Sequence, residues 1–213
     1  MAVDTVPNSR RAQRRGQARR MGRDHLLDAA EEVFGRRGFH ETSLKDVAGA
    51  AEFSVGTIYN FFESKDDLFR QIFVRRGEAF MAGLRAVADD PDPVAALHAM
   101  LDFEVGFFRA HPHFARLYLR YANSTQASTN ALVDGVTRAR YDEAMTIQTA
   151  VFTRGQRIGA FRPGEPLVLA RLFSGLVASY QATDPAVLDA DPAAPERLPL
   201  SELHAIVDGA FGA

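Results

Sequence analysis

The 213-residue chain has a formal net charge of −2, no cysteine and 46% hydrophobic residues. This apolar fraction is near the globular average, so most of the chain is expected to fold, and the lack of cysteine excludes disulfides, thiolate metal ligands and cysteine nucleophiles. No apolar run approaches the roughly 20 residues that span a bilayer, and no apolar stretch follows the arginine-rich start as in a secretory signal. We therefore expect a cytoplasmic protein without membrane contact.

The N-terminus is strongly basic. Seven arginines and a single acid, Asp4, fall within the first 23 residues. Such a segment favours a polyanion because binding releases counterions, and it has too little apolar surface to fold by itself. The composition predicts a flexible basic arm over residues 1–22. The alternative interpretation is a solvated tail that contacts nothing.

A set of very short helices is predicted next. Leu27, Ala30 and Phe34 recur at helical spacing, and Gly38 provides a left-handed end for this first helix. Further helix starts are indicated by serines in capping positions, and these are Ser43, Ser54 and Ser64. Three capped starts within about 22 residues require short helices joined by tight turns, which few folds contain.

Longer helices follow a break at residues 89–93, and no segment alternates as a strand would. Their predicted ranges are 93–110, 112–122, 127–158, 166–182 and 200–211, with a loop rich in proline, alanine and aspartate over 184–199. The chain is therefore predicted to be all-α.

The pattern of residues 23–70 closely resembles the DNA-binding domain of the TetR family of transcriptional regulators. The resemblance rests on segments 26–30, 42–48, 51–62 and 64–68, and a weaker likeness lies at 155–163. It implies a three-helix helix-turn-helix domain over 23–63 and a helical ligand-binding and dimerisation domain over 64–213. It also implies a homodimer that binds palindromic double-stranded DNA, most simply as a repressor, and is released by a small-molecule effector.

The side chains from Val55 to Phe61 suit a helix that lies in a major groove. Gly56 lets the backbone approach the bases, Thr57 offers a methyl and a hydroxyl, and Asn60 can pair with adenine. Lys65 begins the next helix, where backbone amides favour phosphate. The predicted DNA-binding set is Thr42, Ser43, Ser54, Val55, Gly56, Thr57, Tyr59, Asn60, Phe61 and Lys65.

Two positions depart from the family pattern. Glu52 stands in the turn where relatives usually carry glycine, and a left-handed backbone there would be strained by about 1–2 kcal/mol. Phe61 stands where many relatives have histidine, so it cannot donate to a phosphate and is instead expected to contact a thymine methyl or a sugar.

The helices at 166–182 and 200–211 are expected to form half of a four-helix dimer interface. The first carries a row of small residues, Ala170, Ser174 and Ala178, which would let a partner helix approach closely. The second carries apolar side chains at helical spacing, namely Leu200, Leu203, Val207 and Phe211. The alternative is that both helices form an ordinary intramolecular core.

The helix at 93–110 points to a ligand site, because Glu104 falls in the middle of its apolar arc. A buried carboxylate requires a partner, which leaves two alternatives: an ion pair with Arg116 or Arg120, or a polar anchor in a ligand cavity. A largely apolar effector, aromatic or acyl-like, is hypothesised. The predicted ligand-binding set is Phe103, Glu104, Phe107, Leu117, Tyr118, Tyr121, Tyr141 and Gln148.

Other functions find little support in the sequence. No catalytic or phosphate-binding motif is present, so an enzyme is not expected, nor is a cofactor or a metal site at His111 and His113. A regulator that ignores small molecules, or one that activates transcription, remains an alternative.

Overall fold

The computed structural model describes residues 7–121, 133–188 and 199–213. Every regular element in these ranges is a helix, and an isolated antiparallel bridge joins Phe161 to Gly212. The predicted all-α fold class is confirmed. No helix in the described ranges is both long and apolar enough to cross a bilayer. Contacts between residues divide the chain into two units, the first ending at Ile72 and the second beginning at Phe73.

The first unit contains three helices and the start of a fourth. They are α1 (Pro7–Arg37), α2 (Leu44–Ala50), α3 (Val55–Tyr59) and α4 (Lys65–Ala88), and the division between the units falls inside α4. Gly38 ends α1 with a φ of 89°, as its position predicts. Large side chains from all four helices form a core without solvent contact: Leu26, Leu27, Phe34, Val47, Ile58, Leu68, Phe69 and Ile72.

The three predicted serine caps are present. Ser43 and Asp46 form a reciprocal capping box at the start of α2, and the Ser54 hydroxyl accepts from the Thr57 amide at the start of α3. The Ser64 hydroxyl accepts from the Asp67 amide, 3.0 Å away, where α4 begins. Each cap satisfies an amide that has no partner within its own helix, so these local sequences specify where the helices start.

Helix α1 begins sixteen residues earlier than the sequence predicts, at Pro7 rather than near residue 23. The predicted arm 1–22 therefore contributes its residues 7–22 to a regular helix, and residues 1–6 lie outside the described ranges. Arginine, alanine and glutamine are good helix formers, and extending an existing helix adds hydrogen bonds without a new nucleation cost. Proline is tolerated in the first turn, where its missing N–H is not needed.

The second unit contains the rest of α4 and six further helices. They are α5 (Pro93–Ala110), α6 (Pro112–Tyr121), α7 (Asp134–Arg157), α8 (Pro166–Gln181), α9 (Pro185–Leu188) and α10 (Leu200–Phe211). Residues 127–132 of the predicted helix 127–158 and most of the predicted loop lie outside the described ranges. The core of this unit packs α4, α5, α7, α8 and α10 together through aromatic and aliphatic side chains.

A tight reversal follows α7, in the segment 155–163 that resembles the family. Gly159 adopts a φ of 74°, and the Ala160 amide donates to the Gly155 carbonyl at 2.9 Å, which closes the helix end. The chain then brings the Phe161 ring directly over Gly155, where a Cβ would lie 2.0 Å from a ring carbon. Glycine is required here because any side chain would displace this buried ring.

The prediction for the small-residue row of α8 is wrong. Ala170 is fully buried, the Ser174 hydroxyl donates to Gln148, and Ala178 faces a cavity inside the same unit. The large apolar side chains that α8 exposes are instead Val168 and Leu172. Small residues allow any two helices to approach closely, and here the helices in contact belong to the same chain.

Most of the apolar face of α10 also belongs to the chain's own core. Leu203, Val207 and Phe211 are each at least 97% buried, so the expectation that they face a second copy is wrong. Only the alternative of an intramolecular core accounts for these three side chains. Ile206, on the opposite side of α10, is exposed.

Candidate nucleic-acid interface and ligand cavity

Helix α3 presents most of its side chains to solvent. Tyr59 is 58% exposed, Gly56 and Asn60 are exposed, and Thr57 is half-buried. Ile58 faces the opposite way and is fully buried, as is Phe62 beyond the helix, so these two residues hold α3 on the rest of the first unit. The predicted reading residues therefore share one accessible side of a firmly anchored helix.

Hydroxyl groups line the start of α3. Ser54 Oγ accepts from the Thr57 amide at 3.1 Å and lies 2.9 Å from Thr57 Oγ1. Ser54 is exposed and Val55 is half-buried. The bond to Ser54 limits the rotation of the Thr57 side chain, which orients its methyl and hydroxyl before any ligand arrives.

Thr42 does not join this accessible set. Its side chain is 98% buried, and its hydroxyl donates to the Gly38 carbonyl at 2.8 Å, so the predicted contact between this hydroxyl and DNA is wrong. The neighbouring Ser43 is exposed but is bonded to Asp46, and this bond is the main reason that the pKa of Asp46 is lowered. Thr42 thus stabilises the turn before α2, a role its sequence position alone does not reveal.

The extended α1 lies beside the end of α3. The Arg19 guanidinium donates to the Asn60 carbonyl at 3.4 Å and lies 5.9 Å from the centre of the Phe61 ring. Phe61 is half-buried, and its ring approaches Gly22 on α1. Phe61 therefore packs against the basic helix. Arg19, which was predicted to lie in a flexible arm, is a candidate DNA contact.

Lys65 opens α4 as predicted, but its ammonium group is not fully solvated. Its Nζ lies 4.3 Å from the centre of the Phe39 ring, and burial lowers the pKa of Lys65. A cation held in place by an aromatic ring loses less entropy when it binds a phosphate than a freely rotating lysine does.

A cavity of about 140 Å³ lies within the second unit. It is enclosed by residues of α4, α5, α6, α7 and α8, and most of its wall is apolar or aromatic. The lining residues are Phe73, Gly77, Phe80, Met81, Glu104, Phe108, Phe114, Tyr118, Val136, Thr137, Arg140, Tyr141, Ala144, Met145, Gln148, Ser174, Ala178 and Gln181. A small apolar void with a few convergent polar groups is the usual design of a ligand site.

Glu104 is the acidic residue among those lining this cavity, and it is only 7% exposed. Its Oε1 accepts from Gln148 Nε2 at 2.9 Å. Burial raises the pKa of Glu104 from 4.5 to about 7, and the hydrogen bond from Gln148 opposes that rise. Burial together with the nearby Glu104 charge also raises the pKa of Tyr118 to about 12. Of the two alternatives for Glu104, the structure agrees with the position on a cavity wall. The described residues include no ion pair between Glu104 and an arginine.

Comparison with known proteins agrees with this architecture. Residues 26–72 match the model of bacterial regulatory proteins of the tetR family. The chain is similar to the transcriptional regulator UidR of Escherichia coli K12, with 34% identity over 76 residues, or 36% of each chain. Residues 26–72 are therefore a TetR-family domain. The similarity to UidR thus spans about a third of either protein.

Solved structures extend the TetR fold to nearly the whole chain. The ketosteroid regulator KstR2 of Mycobacterium tuberculosis superimposes with a TM-score of 0.70 at 20% identity, covering 90% of this chain and 95% of KstR2. AibR in complex with isovaleryl coenzyme A and operator DNA gives a TM-score of 0.68 at 20% identity, covering 88% and 97%. At these identities the two structures establish the fold of this chain.

Glu52 occupies the turn in which TetR relatives usually carry glycine, and its backbone is left-handed, with a φ of 55°. Among the described non-glycine residues it is the one with a positive φ. The Phe53 amide donates to the Ala48 carbonyl at 2.9 Å just after it, so the turn geometry that suits glycine is kept despite the side chain. Glu52 itself is exposed. The strain expected from the sequence is therefore present in this chain.

The cavity of this chain includes half of the predicted ligand set. Glu104, Tyr118, Tyr141 and Gln148 line it. The other four do not, so their assignment is wrong for this cavity: Phe103 packs over Gly83, Phe107 packs among neighbouring aromatic rings, and Leu117 and Tyr121 are buried elsewhere.

Several wall residues were not predicted, and they share a reason. Phe73 and Phe80 lie on α4, for which the sequence predicted only a capped start at Ser64, and Ser174 was predicted to lie in a dimer interface. Phe108 and Phe114 lie on helices for which burial was predicted. An apolar arc predicts burial, but the boundary between packed core and empty space depends on the neighbouring helices.

Proposed function

We propose that this chain is a ligand-responsive transcriptional repressor that binds palindromic operator DNA as a homodimer through α3. The observation that carries the proposal is the accessible side of α3, where Gly56, Thr57, Tyr59 and Asn60 lie together beside the arginine-rich α1. A helix of this kind reads base edges, and arginines next to it supply the phosphate contacts that dominate affinity. Because operator DNA lies in the cytoplasm, the protein must act there.

The test is selection of bound sequences from random duplex DNA with the purified protein. A palindromic consensus is expected, because a dimer reads two half-sites about one helical turn apart. Failure to enrich any sequence at low salt would contradict DNA reading by this chain, and a consensus without symmetry would contradict the dimer.

Variants then separate base reading from phosphate contact. Lys65→Ala should weaken binding equally on all sequences and reduce its salt dependence, whereas Thr57→Ala and Asn60→Ala should change the preferred bases. Arg157→Ala removes one exposed charge from α7 in the other unit and should leave binding unchanged. Equal losses on every sequence for the α3 and Lys65 variants would refute this division of roles.

Homodimerisation is supported by apolar side chains that one copy leaves exposed on α8 and α10. Val168, Leu172 and Ile206 are 43%, 56% and 46% exposed. Val168 and Leu172 lie one helical turn apart, and neighbouring exposed apolar side chains favour a protein partner. A symmetric dimer lets one face serve both subunits. Leu172→Asp should convert the dimer to a monomer in sedimentation experiments. Leu188→Asp is the matched control, since Leu188 is 41% exposed on α9.

Release by a small, largely apolar effector is supported by the cavity and by AibR, which was solved with both a small molecule and operator DNA. An effector that prefers a conformation unable to span two half-sites lowers operator affinity by the ratio of its affinities for the two states. Compounds that raise the melting temperature should therefore also dissociate the operator complex. Stabilising compounds that leave the complex intact would favour the alternative of a regulator that ignores small molecules.

A further inference from the structure

One oxygen of the buried Glu104 has no assigned role in the protein. Its Oε1 accepts from Gln148, while Oε2 has no hydrogen-bonding or ionic partner among the described residues. Glu104 is 93% buried and lines the cavity. A carboxylate on the largely apolar wall of a cavity is costly unless a ligand supplies the missing partner.

Hydrogen bonds hold both the carboxylate and the backbone of Glu104 in place. Ser174 Oγ donates to Gln148 Oε1 at 2.8 Å, which orients the amide so that Nε2 donates to the carboxylate. Gln181 Nε2 donates to the backbone carbonyl of Glu104 at 3.3 Å and fixes the position of that residue. A donor bonded to a carboxylate favours its charged form. The bond from Gln148 therefore favours the ionised Glu104, which can accept a positive partner.

The walls around this carboxylate are aromatic. Six of the lining side chains carry rings, and they are Phe73, Phe80, Phe108, Phe114, Tyr118 and Tyr141. Aromatic faces attract cations, and the attraction grows when water is excluded. The other charged side chain that lines the cavity, Arg140, already has acidic partners, since its guanidinium lies 3.4 Å from Glu143 and 4.0 Å from Glu78.

We propose that the cavity binds a small organic cation, whose positive nitrogen faces Glu104 Oε2 and whose apolar body lies among the aromatic rings. The regulatory meaning of this binding rests on the function proposed above. The volume of about 140 Å³ sets the size of the body, because an engineered apolar cavity of about 150 Å³ holds one benzene molecule. A protonated amine on a single ring satisfies both requirements.

The experiment is calorimetric titration of the full-length protein with three ligands that share one ring: benzylammonium, benzyl alcohol and benzoate. Benzylammonium should bind most tightly, and its affinity should rise about tenfold from pH 6 to pH 8. With a pKa of about 7, Glu104 is about one-tenth ionised at the lower pH and about nine-tenths at the higher. Benzylammonium stays protonated throughout, and burial raises the pKa of the lining Tyr118 to about 12, well above this range.

Two variants identify the carboxylate responsible. Glu104→Gln should lower benzylammonium affinity at least tenfold at pH 8 and abolish its pH dependence, while binding of benzyl alcohol shows that the cavity is intact. Asp102→Asn removes an exposed carboxylate from the same helix and should change neither the affinity for benzylammonium nor its pH dependence. If Glu104→Gln does not fold, Ser174→Ala tests the same network and should weaken the cation selectively.

Three results would overturn the proposal. Tighter binding of benzyl alcohol, weakening as the pH rises, would mean that a protonated Glu104 donates to a neutral ligand. Preference for benzoate would mean an anionic effector, and no binding by any of the three would mean that the cavity does not accept such ligands. The operator assay is separate: a cation that binds but leaves the DNA complex intact supports this site and refutes ligand-induced release.

Discussion

The buried Glu104 makes the stability of the protein depend on pH in a way that the variant Glu104→Gln should remove. Burial raises the pKa of this carboxyl from 4.5 to about 7, so the folded protein retains a proton that the unfolded chain has already lost. At about 1.4 kcal/mol per pH unit, the difference between these two pKa values corresponds to about 3 kcal/mol of stability. The sign follows from the proton: below pH 4.5 both states are protonated, and stability falls as the pH rises from there until it levels above pH 7.

The measurement is denaturant-induced unfolding of the wild type and Glu104→Gln between pH 5 and pH 8, followed by circular dichroism. All other groups titrate in both proteins, so the difference between their free energies of unfolding reports on Glu104 alone. Relative to Glu104→Gln, the wild type should lose most of about 3 kcal/mol of its free energy of unfolding as the pH rises from 5 to 8. A difference that stays constant over this range would refute the argument, because it would mean that Glu104 is solvated or already paired.

Three further predictions concern stability near α3 and α7, each measured by thermal unfolding without ligand. Glu52→Gly should stabilise by about 1 kcal/mol, since removing about 1–2 kcal/mol of left-handed strain outweighs the added chain entropy, whereas Glu52→Ala should bring no such gain. Ser54→Ala should cost about 1 kcal/mol through loss of the α3 cap, and an unchanged melting temperature would contradict that role. Gly155→Ala should cost about 1–3 kcal/mol by displacing Phe161, while Gly106→Ala, which meets open space, should be neutral or slightly stabilising.

The ligand site shows how far helical periodicity can lead. The apolar arc of α5 and the misplaced charge of Glu104 were visible in the sequence, and the structure places that residue on a cavity wall. Phe103 and Phe107 lie on the same arc as Phe108, but only Phe108 lines the cavity. The three are equally apolar, so their sequence positions do not distinguish a ring that fills the core from one that borders a void. That distinction depends on the helices facing them.

The sequence by itself determined the all-α class, the three capped helix starts and the exposed side of α3. These features depend on interactions within a few residues, such as the bonds of Ser43 and Ser54 to amides three positions on, so local chemistry is sufficient. Tertiary structure alone decided which faces of α8 and α10 are buried and that α1 continues into the basic segment. Ser174 shows the reason: a small residue suits contact with any neighbour, and its hydrogen bond to Gln148 depends on a residue 26 positions away.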